Sequence, residues 1–170
     1  MRRYFLGIFA SWILSACSFQ GSSERAERTI AANRADVFAA MTMSIQESGL
    51  EPVEKAQDFV RYEVPINDKN LLTGPEADAA LTEKYLGGTI AVTVEPDRSL
   101  ESRMISADGN SSMRVQFLFS DGAANTTIIE SHVDVSQSGL PSNSQEELKT
   151  ILLQMPNILI DEAEEKLANS

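Results

Sequence analysis

Cysteine, histidine and tryptophan are almost missing from this chain, since each occurs once in 170 residues. A lone cysteine excludes both an intrachain disulfide and a metal site built from several thiolates. One imidazole without a second histidine or cysteine makes a poor zinc site. Basic residues are also scarce, at 14 Lys and Arg against 25 Asp and Glu, which gives a formal net charge of −11. A surface of this sign repels nucleic acid rather than binding it.

The one marked apolar run lies at the N-terminus and is too short to cross a bilayer. Arg2 and Arg3 precede eleven mainly apolar residues, Tyr4 to Leu14, whereas a spanning helix needs about 20. A positive start, a short hydrophobic core and small residues before a cleavage site are typical of a secretory signal peptide. The sequence therefore predicts export.

The lone cysteine stands where this signal ends, in Leu14-Ser15-Ala16-Cys17. The tetrapeptide resembles the lipobox of bacterial lipoproteins, Leu-(Ala/Ser)-(Gly/Ala)-Cys. The resemblance implies a signal peptide over residues 1–16, cleavage before Cys17, and a lipidated thiol whose acyl chains, such as palmitate, hold the protein on a membrane. We expect a periplasm-facing protein at the outer membrane, although the motif leaves inner and outer membrane open. An ordinary signal with a stray cysteine and an apolar N-terminal helix are the alternatives.

The remaining chain suits a single domain behind a short tether. Residues 17–24 are predicted to be the lipidated cysteine and tether, and residues 25–170 are long enough for one core. Without Arg2 and Arg3 the mature chain has 12 basic and 25 acidic residues, a formal charge of −13. We find no internal repeat and no second domain boundary.

The apolar pattern predicts an α+β fold, in which an antiparallel meander packs on a long C-terminal helix. Apolar residues alternate along most predicted strands, and helical spacing follows the cap at Asn33. A loop is the alternative to the predicted helix at 73–87. Pro156 should kink the tail helix because it lacks an amide hydrogen. The predicted strands are 25–31, 53–55, 59–64, 89–95, 100–104, 113–119 and 127–135, and the predicted helices are 35–48, 73–87 and the tail from residue 144.

Resemblances to two known protein families make the fold prediction more specific. Residues 28–40, a strand, a small-residue corner and a helix opening in Val37-Phe38, resemble the start of START-like (SRPBCC) domains of the polyketide cyclase and Bet v 1 type. That resemblance implies a helix-grip fold over residues 25–168, often with an apolar cavity. Residues 35–53 and 59–64 also resemble the repeated domains of the C-component lipoprotein of the outer-membrane barrel assembly machinery. This second resemblance implies a similar architecture with a protein-binding role.

Six apolar and aromatic residues are the candidate ligand contacts. They suit the lining of a cavity for an apolar molecule, since such pockets are mostly apolar and methionine adapts to varied shapes. The alternative is that they fill a solid core. They are Tyr62, Tyr85, Met104, Met113, Phe117 and Phe119.

The single histidine carries no catalytic prediction. Strand alternation places His132 with Glu130 and Asp134 on the face opposite Ile129 and Val133, which is typical of a solvated surface. We assign no catalytic residue, no metal ligand and no cofactor.

The expected function is therefore non-catalytic binding of a small apolar ligand or lipid by a membrane-anchored domain. An envelope-assembly accessory that binds protein partners is the first alternative, and a cyclase-like enzyme is the second. The volume beside Phe117 and Phe119 should distinguish a ligand cavity from a filled core.

Overall fold

The computed structural model describes residues 20–47, 51–66, 83–137 and 142–169. Within these ranges the chain forms a seven-stranded antiparallel sheet and two long helices, which confirms the predicted α+β fold. The elements are β1 (Gln20–Ile30), α1 (Arg34–Glu47), β2 (Pro52–Lys55), β3 (Val60–Pro65), β4 (Thr89–Glu95), β5 (Ser99–Ile105), β6 (Ser112–Asp121), β7 (Thr127–Gln137) and α2 (Ser142–Ala168).

The strand order is β1-β7-β6-β5-β4-β3-β2. Strands β2 to β7 form a meander in which each strand pairs antiparallel with the next along the chain. The first strand instead pairs with the last. Its register runs from Gln20 opposite Gln137 to Ile30 opposite Thr127. The sheet therefore brings together the two ends of the domain's sequence.

The predicted start of β1 is wrong by five residues. Residues 20–24, expected to belong to a tether, pair with residues 133–137 of β7. Strand β7 extends two residues past its predicted end, so its backbone groups are available to the earlier part of β1. Backbone pairing with a neighbouring strand here outweighs the weak strand preference of glycine and serine.

Helix α1 forms as its sequence predicts. The Asn33 side chain accepts a hydrogen bond from the Asp36 amide at 3.0 Å, which is an N-cap. Val37, Phe38 and Met41 follow at helical spacing and are buried in the core. Strands β2 and β3 come next.

Helix α2 contains Pro156 and crosses the sheet at its β1 and β7 side. The helix runs without a break from Ser142 to Ala168, so Pro156 does not divide it, and the kink expected from the missing amide hydrogen stays a prediction. Ile160 and Ala163 lie in the core. The side chains of Ile151, Leu152 and Met155 lie outside the described part of the structure.

An ion-pair cluster joins α2 to β1. The Arg28 guanidinium donates to Asp161 at 2.5 Å and also to Glu164, one helical turn further along. Both acceptors are at least partly exposed, so the pairs orient the helix more than they stabilise it.

Backbone contacts and a second polar cluster hold the chain segment that leads into β4. The predicted helix at 73–87 lies mostly outside the described residues, but residues 83–85 are helical and Gly87 follows with φ +81°. The Ile66 amide donates to the Gly88 carbonyl at 2.8 Å. A Cβ on Gly88 would come within 2.1 Å of the Ile105 carbonyl oxygen, so only glycine fits this approach.

The Asp108 carboxylate, in the β5–β6 hairpin, is the shared acceptor of the polar cluster. It accepts hydrogen bonds from the Ser106 hydroxyl at 2.5 Å, the Asn110 amide at 3.0 Å and the Lys84 ammonium at 3.0 Å. These donors hold the pKa of Asp108 well below its usual range. We refer to Lys84, Ser106, Asp108 and Asn110 as the hairpin clamp.

The strands divide cleanly into a core face and a solvent face. Along β6, buried Met113, Val115, Phe117 and Phe119 alternate with half-buried or exposed neighbours, as predicted. Ile129, Val133 and Val135 of β7 are buried on the same side. The core therefore lies between the β6–β7 part of the sheet and the two helices.

Replacing Ile129 with alanine tests this assignment. Ile129 is fully buried, so Ile129→Ala should lower the free energy of unfolding by about 2–5 kcal/mol, as large-to-small core changes do. Ile128→Ala, one residue away on the opposite face, is the matched control and should cost clearly less. Urea titration of both variants measures the difference, and equal losses would contradict the division into faces.

The hairpin clamp predicts a pH-dependent contribution to stability. A carboxyl whose folded pKa is depressed stabilises the fold above its unfolded pKa, near 4, and loses that contribution as pH falls towards the folded value. The stability gap between wild type and Asp108→Asn should therefore be widest above about pH 5 and should narrow towards pH 2. Lys84→Met, which leaves two donors in place, should show a smaller gap. Urea titrations at several pH values provide the measurement, and a gap independent of pH would refute the role of the carboxylate.

Candidate functional site

The inner face of the sheet, which faces the helices, carries most of the candidate ligand contacts. Strand register places its side chains in rows that run across the strands. The first row is Val60, Val94, Leu100, Phe117 and Ser131, the second is Tyr62, Val92, Ser102, Val115 and Val133, and the third is Val64, Ile90, Met104, Met113 and Val135.

The β6–β7 half of this face is filled. The Phe38 ring of α1 meets the Phe119 ring edge-on, with centroids 5.2 Å apart and planes at 75°. Phe117 and Ile129 have no exposed surface. Edge-to-face aromatic packing and complete burial indicate close-packed core. The space beside Phe117 and Phe119 is therefore occupied by protein side chains.

The β3–β5 half of the same face is less covered. Both helices lie mainly over β6 and β7. Leu100 of β5 is buried, but the other inner side chains of β3, β4 and β5 keep part of their surface exposed. We call this set the β3–β5 face. It consists of Tyr62, Val64, Ile90, Val92, Val94, Ser102 and Met104, all half-buried.

The chemistry of the β3–β5 face is that of an apolar binding surface. Five of its seven members are aliphatic or methionine side chains, and the Ser102 and Tyr62 hydroxyls lie in the same row. Small-molecule sites in proteins are mostly apolar, with a few polar groups that fix orientation. The face thus presents apolar surface with two hydroxyl groups, and its seven side chains include no acid–base pair.

Five of the six candidate residues belong to one hydrophobic cluster. Tyr85, Met113, Phe117 and Phe119 are buried in it, and Met104, which pairs with Met113, is partly exposed and packs against it. Tyr62 lies three strands from β6, on the β3–β5 face. Their role as ligand contacts stays a prediction, and only Tyr62 and Met104 belong to the exposed part of the inner face.

Tyr85 lies off the sheet and beside the hairpin clamp. Its side chain is 1% exposed, and its hydroxyl makes no hydrogen bond of normal geometry within the described residues. Burial raises the pKa of Tyr85 to about 12, and the neighbouring Ser111 side chain partly opposes this effect. The phenol stays protonated at neutral pH, as an unperturbed tyrosine would, and can donate a hydrogen bond.

Two concave sites are present elsewhere among the described residues. An open cleft of about 810 Å³ lies between α1 and the end of α2, and Ile30, Met43 and Leu167 are among its walls. A smaller pocket of about 190 Å³ lies between Glu24, Val133 and Pro156. Neither contains any of the six candidates, and sequence reasoning missed both because their walls come from distant segments.

The outer face is polar and carries the single histidine. The His132 imidazole lies 3.6 Å from Glu130, and Arg114 pairs with Asp134 at 2.5 Å. The Ser23 side chain and Arg114 lower the pKa of Asp134. His132 thus lies beside Glu130 and Asp134, away from the core, as predicted. In the described part of the chain, no three metal-ligating side chains cluster and no helix is long and apolar enough to cross a membrane.

No protein-family model matches the sequence, and no curated protein matches it as a relative. Solved structures do match in fold. The Zhui aromatase/cyclase from a Streptomyces species superposes with a TM-score of 0.55 at 12% identity, over 87% of this chain and 96% of the other. Norcoclaurine synthase from Thalictrum flavum gives a TM-score of 0.57 at 9% identity, over 100% and 99% of the two chains.

A two-domain protein matches over one half only. The aromatase/cyclase StfQ from the steffimycin biosynthetic pathway gives a TM-score of 0.58 at 9% identity, over 88% of this chain and 52% of the other. Identities this low establish the architecture and leave activity open. The chain has the helix-grip fold of these aromatase/cyclase and Bet v 1-like structures, with an antiparallel sheet packed on a long C-terminal helix.

Proposed function

We propose that this protein is a bacterial lipoprotein, anchored by acyl chains on Cys17, whose helix-grip domain binds a small apolar molecule or lipid without catalysis. The β3–β5 face is the observation that carries the ligand-binding part of the proposal. The lipobox motif in the sequence is the evidence for the anchor part of the proposal, because Cys17 itself lies outside the described residues.

Partial exposure of the β3–β5 face favours ligand binding. Each Å² of apolar surface that a ligand removes from water contributes roughly 25 cal/mol. Valine, isoleucine and methionine side chains supply that surface, and the filled β6–β7 core next to it provides a rigid wall. A bound molecule would therefore complete the inner face and require little movement of the core.

The net negative charge of the mature chain limits which charge an apolar ligand is expected to have. A mature chain with 12 basic and 25 acidic residues has a negative potential over much of its surface. Anionic amphiphiles such as fatty acids would approach against this potential. The preferred ligand is thus an uncharged or cationic apolar molecule.

The two alternatives receive less support. Enzymes titled aromatase/cyclase and synthase share this fold, so an enzyme acting on the same face is one alternative; however, the β3–β5 face carries no acid–base pair and His132 lies on the outer face. Protein-partner binding is the other, and the filled space beside Phe117 and Phe119 next to a partly exposed apolar face fits it. Three of the exposed large apolar side chains, Met43, Val53 and Ile158, belong to three different elements, and apolar residues exposed singly are normal for a monomer.

A matched pair of tryptophan substitutions tests the ligand site. Val92 points to the inner face and Thr93 to the outer face of β4, and both are half-buried. Val92→Trp should fill the β3–β5 face and weaken binding of an uncharged fluorescent apolar probe by about tenfold or more, a loss of at least ~1.4 kcal/mol. Thr93→Trp should leave the affinity within about twofold, because it changes only the solvent face. Titration of probe fluorescence gives both values.

Three results would contradict the binding site: no saturable binding to the wild-type protein, equal affinity in all three proteins, or a greater loss in Thr93→Trp. Far-ultraviolet circular dichroism and urea titration of each variant show whether its fold is retained. A second substitution on the same face, Ile90→Trp, should repeat the loss of binding.

Substitution of Cys17 tests the anchor. The wild-type protein expressed in a bacterial host should incorporate a palmitate analogue and fractionate with membranes. Cys17→Ser should incorporate none and should accumulate as a precursor that retains residues 1–16, since the modified thiol is absent. Label that persists in the variant, or an unlabelled wild-type protein, would rule out lipidation at this residue.

A further inference from the structure

The strand register sorts every connection of the domain to one of two ends of the sheet. We call the end at Gln20, where β1 begins, the near end, and the end at Ile30 the far end. Because neighbouring strands are antiparallel, one row of residues crosses the sheet close to the near end. That row is Gly21, Ser136, Ser112, Ile105, Thr89 and Pro65.

The two ends carry different connections. The far end carries residues 31–33, 56–59, 96–98 and 122–126. The near end carries the described segment 83–88, which leads into β4, together with the β5–β6 hairpin at 106–111. The hairpin clamp joins these two near-end segments through Lys84 and Asp108.

The lipobox cysteine lies very close to the near end in sequence. Gln20 is the third residue after Cys17, so fully extended chain places the modified thiol at most ~11 Å from the start of β1. Strand β1 then runs for 11 residues, which separates the two ends of the sheet by about 34 Å. Two intervening residues leave little freedom for the domain to turn over on its anchor.

One exposed apolar side chain lies at the same end. Leu86 is 43% exposed and lies directly before Gly87 and Gly88, which lead into β4. Met43 is equally exposed and lines a cleft with Ile30 at the far end. The short connection to Cys17, rather than a difference in apolar surface, therefore supports the orientation. The Lys84 charge at the near end is matched by Asp108, so apolar contact rather than net positive charge characterises this surface.

From this geometry we propose that the near end faces the lipid bilayer. Leu86 and the β5–β6 hairpin lie against the headgroups of uncharged or zwitterionic lipid, and the far end projects into the periplasm. The proposal rests on the lipid anchor at Cys17 proposed above. It assigns the partner of the near-end surface and fixes the orientation of the sheet, with its strands upright on the membrane.

The lone cysteine makes a direct test possible. Once the Cys17 thiol carries lipid, any introduced cysteine is the only thiol that can react with a probe. Ala107→Cys in the near-end hairpin and Ala123→Cys in the far-end β6–β7 turn are matched, since both alanines are exposed. Each full-length lipidated variant is labelled with a fluorophore and reconstituted in phosphatidylcholine vesicles that contain a headgroup-nitroxide lipid as quencher.

Quenching should be at least roughly threefold stronger for the label at residue 107 than for the label at residue 123, because about 34 Å of sheet separates the two ends. Leu86→Ser should lower the quenching at residue 107 by removing an apolar contact with the headgroups. Asn110→Cys and Arg98→Cys, both at exposed positions, form a second near–far pair if either alanine variant fails to fold.

The outcomes separate this proposal from the anchor itself. Protein that binds vesicles through Cys17 but shows equal quenching at both positions tumbles freely, which overturns the orientation and leaves the anchor intact. Stronger quenching at residue 123 also overturns the orientation. Failure of the lipidated protein to bind vesicles, or equal binding by Cys17→Ser, overturns the anchor and the orientation together.

Discussion

Pairing between β1 and β7 is the constraint on which the rest of the structure depends. It joins residues 20–30 to residues 127–137, across almost the whole domain sequence. Only when β1 lies beside β7 does α1 return across the β6 part of the sheet, and only then does Arg28 reach Asp161 and Glu164 on α2. Contacts this distant in sequence cost loop-closure entropy, so we expect them to form late and cooperatively.

The same pairing explains why the two halves of the inner face differ. Helices α1 and α2 both attach on the β1–β7 side, through the Phe38–Phe119 contact and the Arg28 cluster. Their apolar residues therefore pack on β6 and β7. Strands β3 to β5 lie further from both attachments and keep an apolar surface that is only partly covered. One sheet thus provides both a rigid core and an accessible face.

Local patterns predicted much of the fold. The alternation of Met113, Val115, Phe117 and Phe119 and the cap at Asn33 are encoded by neighbouring residues, so sequence reasoning found β6 and α1. The start of β1 was missed because Gly21, Ser22 and Ser23 have little strand preference of their own, and tertiary pairing with β7 outweighs it. The Lys84–Asp108 pair was missed because it joins residues 24 positions apart through the tertiary fold.

The candidate site could be predicted only in part, for a related reason. Apolar character identifies residues such as Tyr62, Met104 and Phe117, and strand parity assigns them a face. Coverage by the helices decides which of them fill the core and which keep accessible surface. That coverage depends on where α1 and α2 attach, and no pattern within a single strand encodes it.

The early start of β1 has a practical consequence for producing the domain. The polar sequence suggests a domain boundary after residue 24. A soluble fragment that begins at residue 25 would lack residues 20–24, the five residues that pair with residues 133–137 of β7. The amide and carbonyl groups of that part of β7 would then form an open sheet edge, and open edges promote strand-to-strand association between molecules. The residues that look most like a linker are thus the ones that keep the end of the last strand covered.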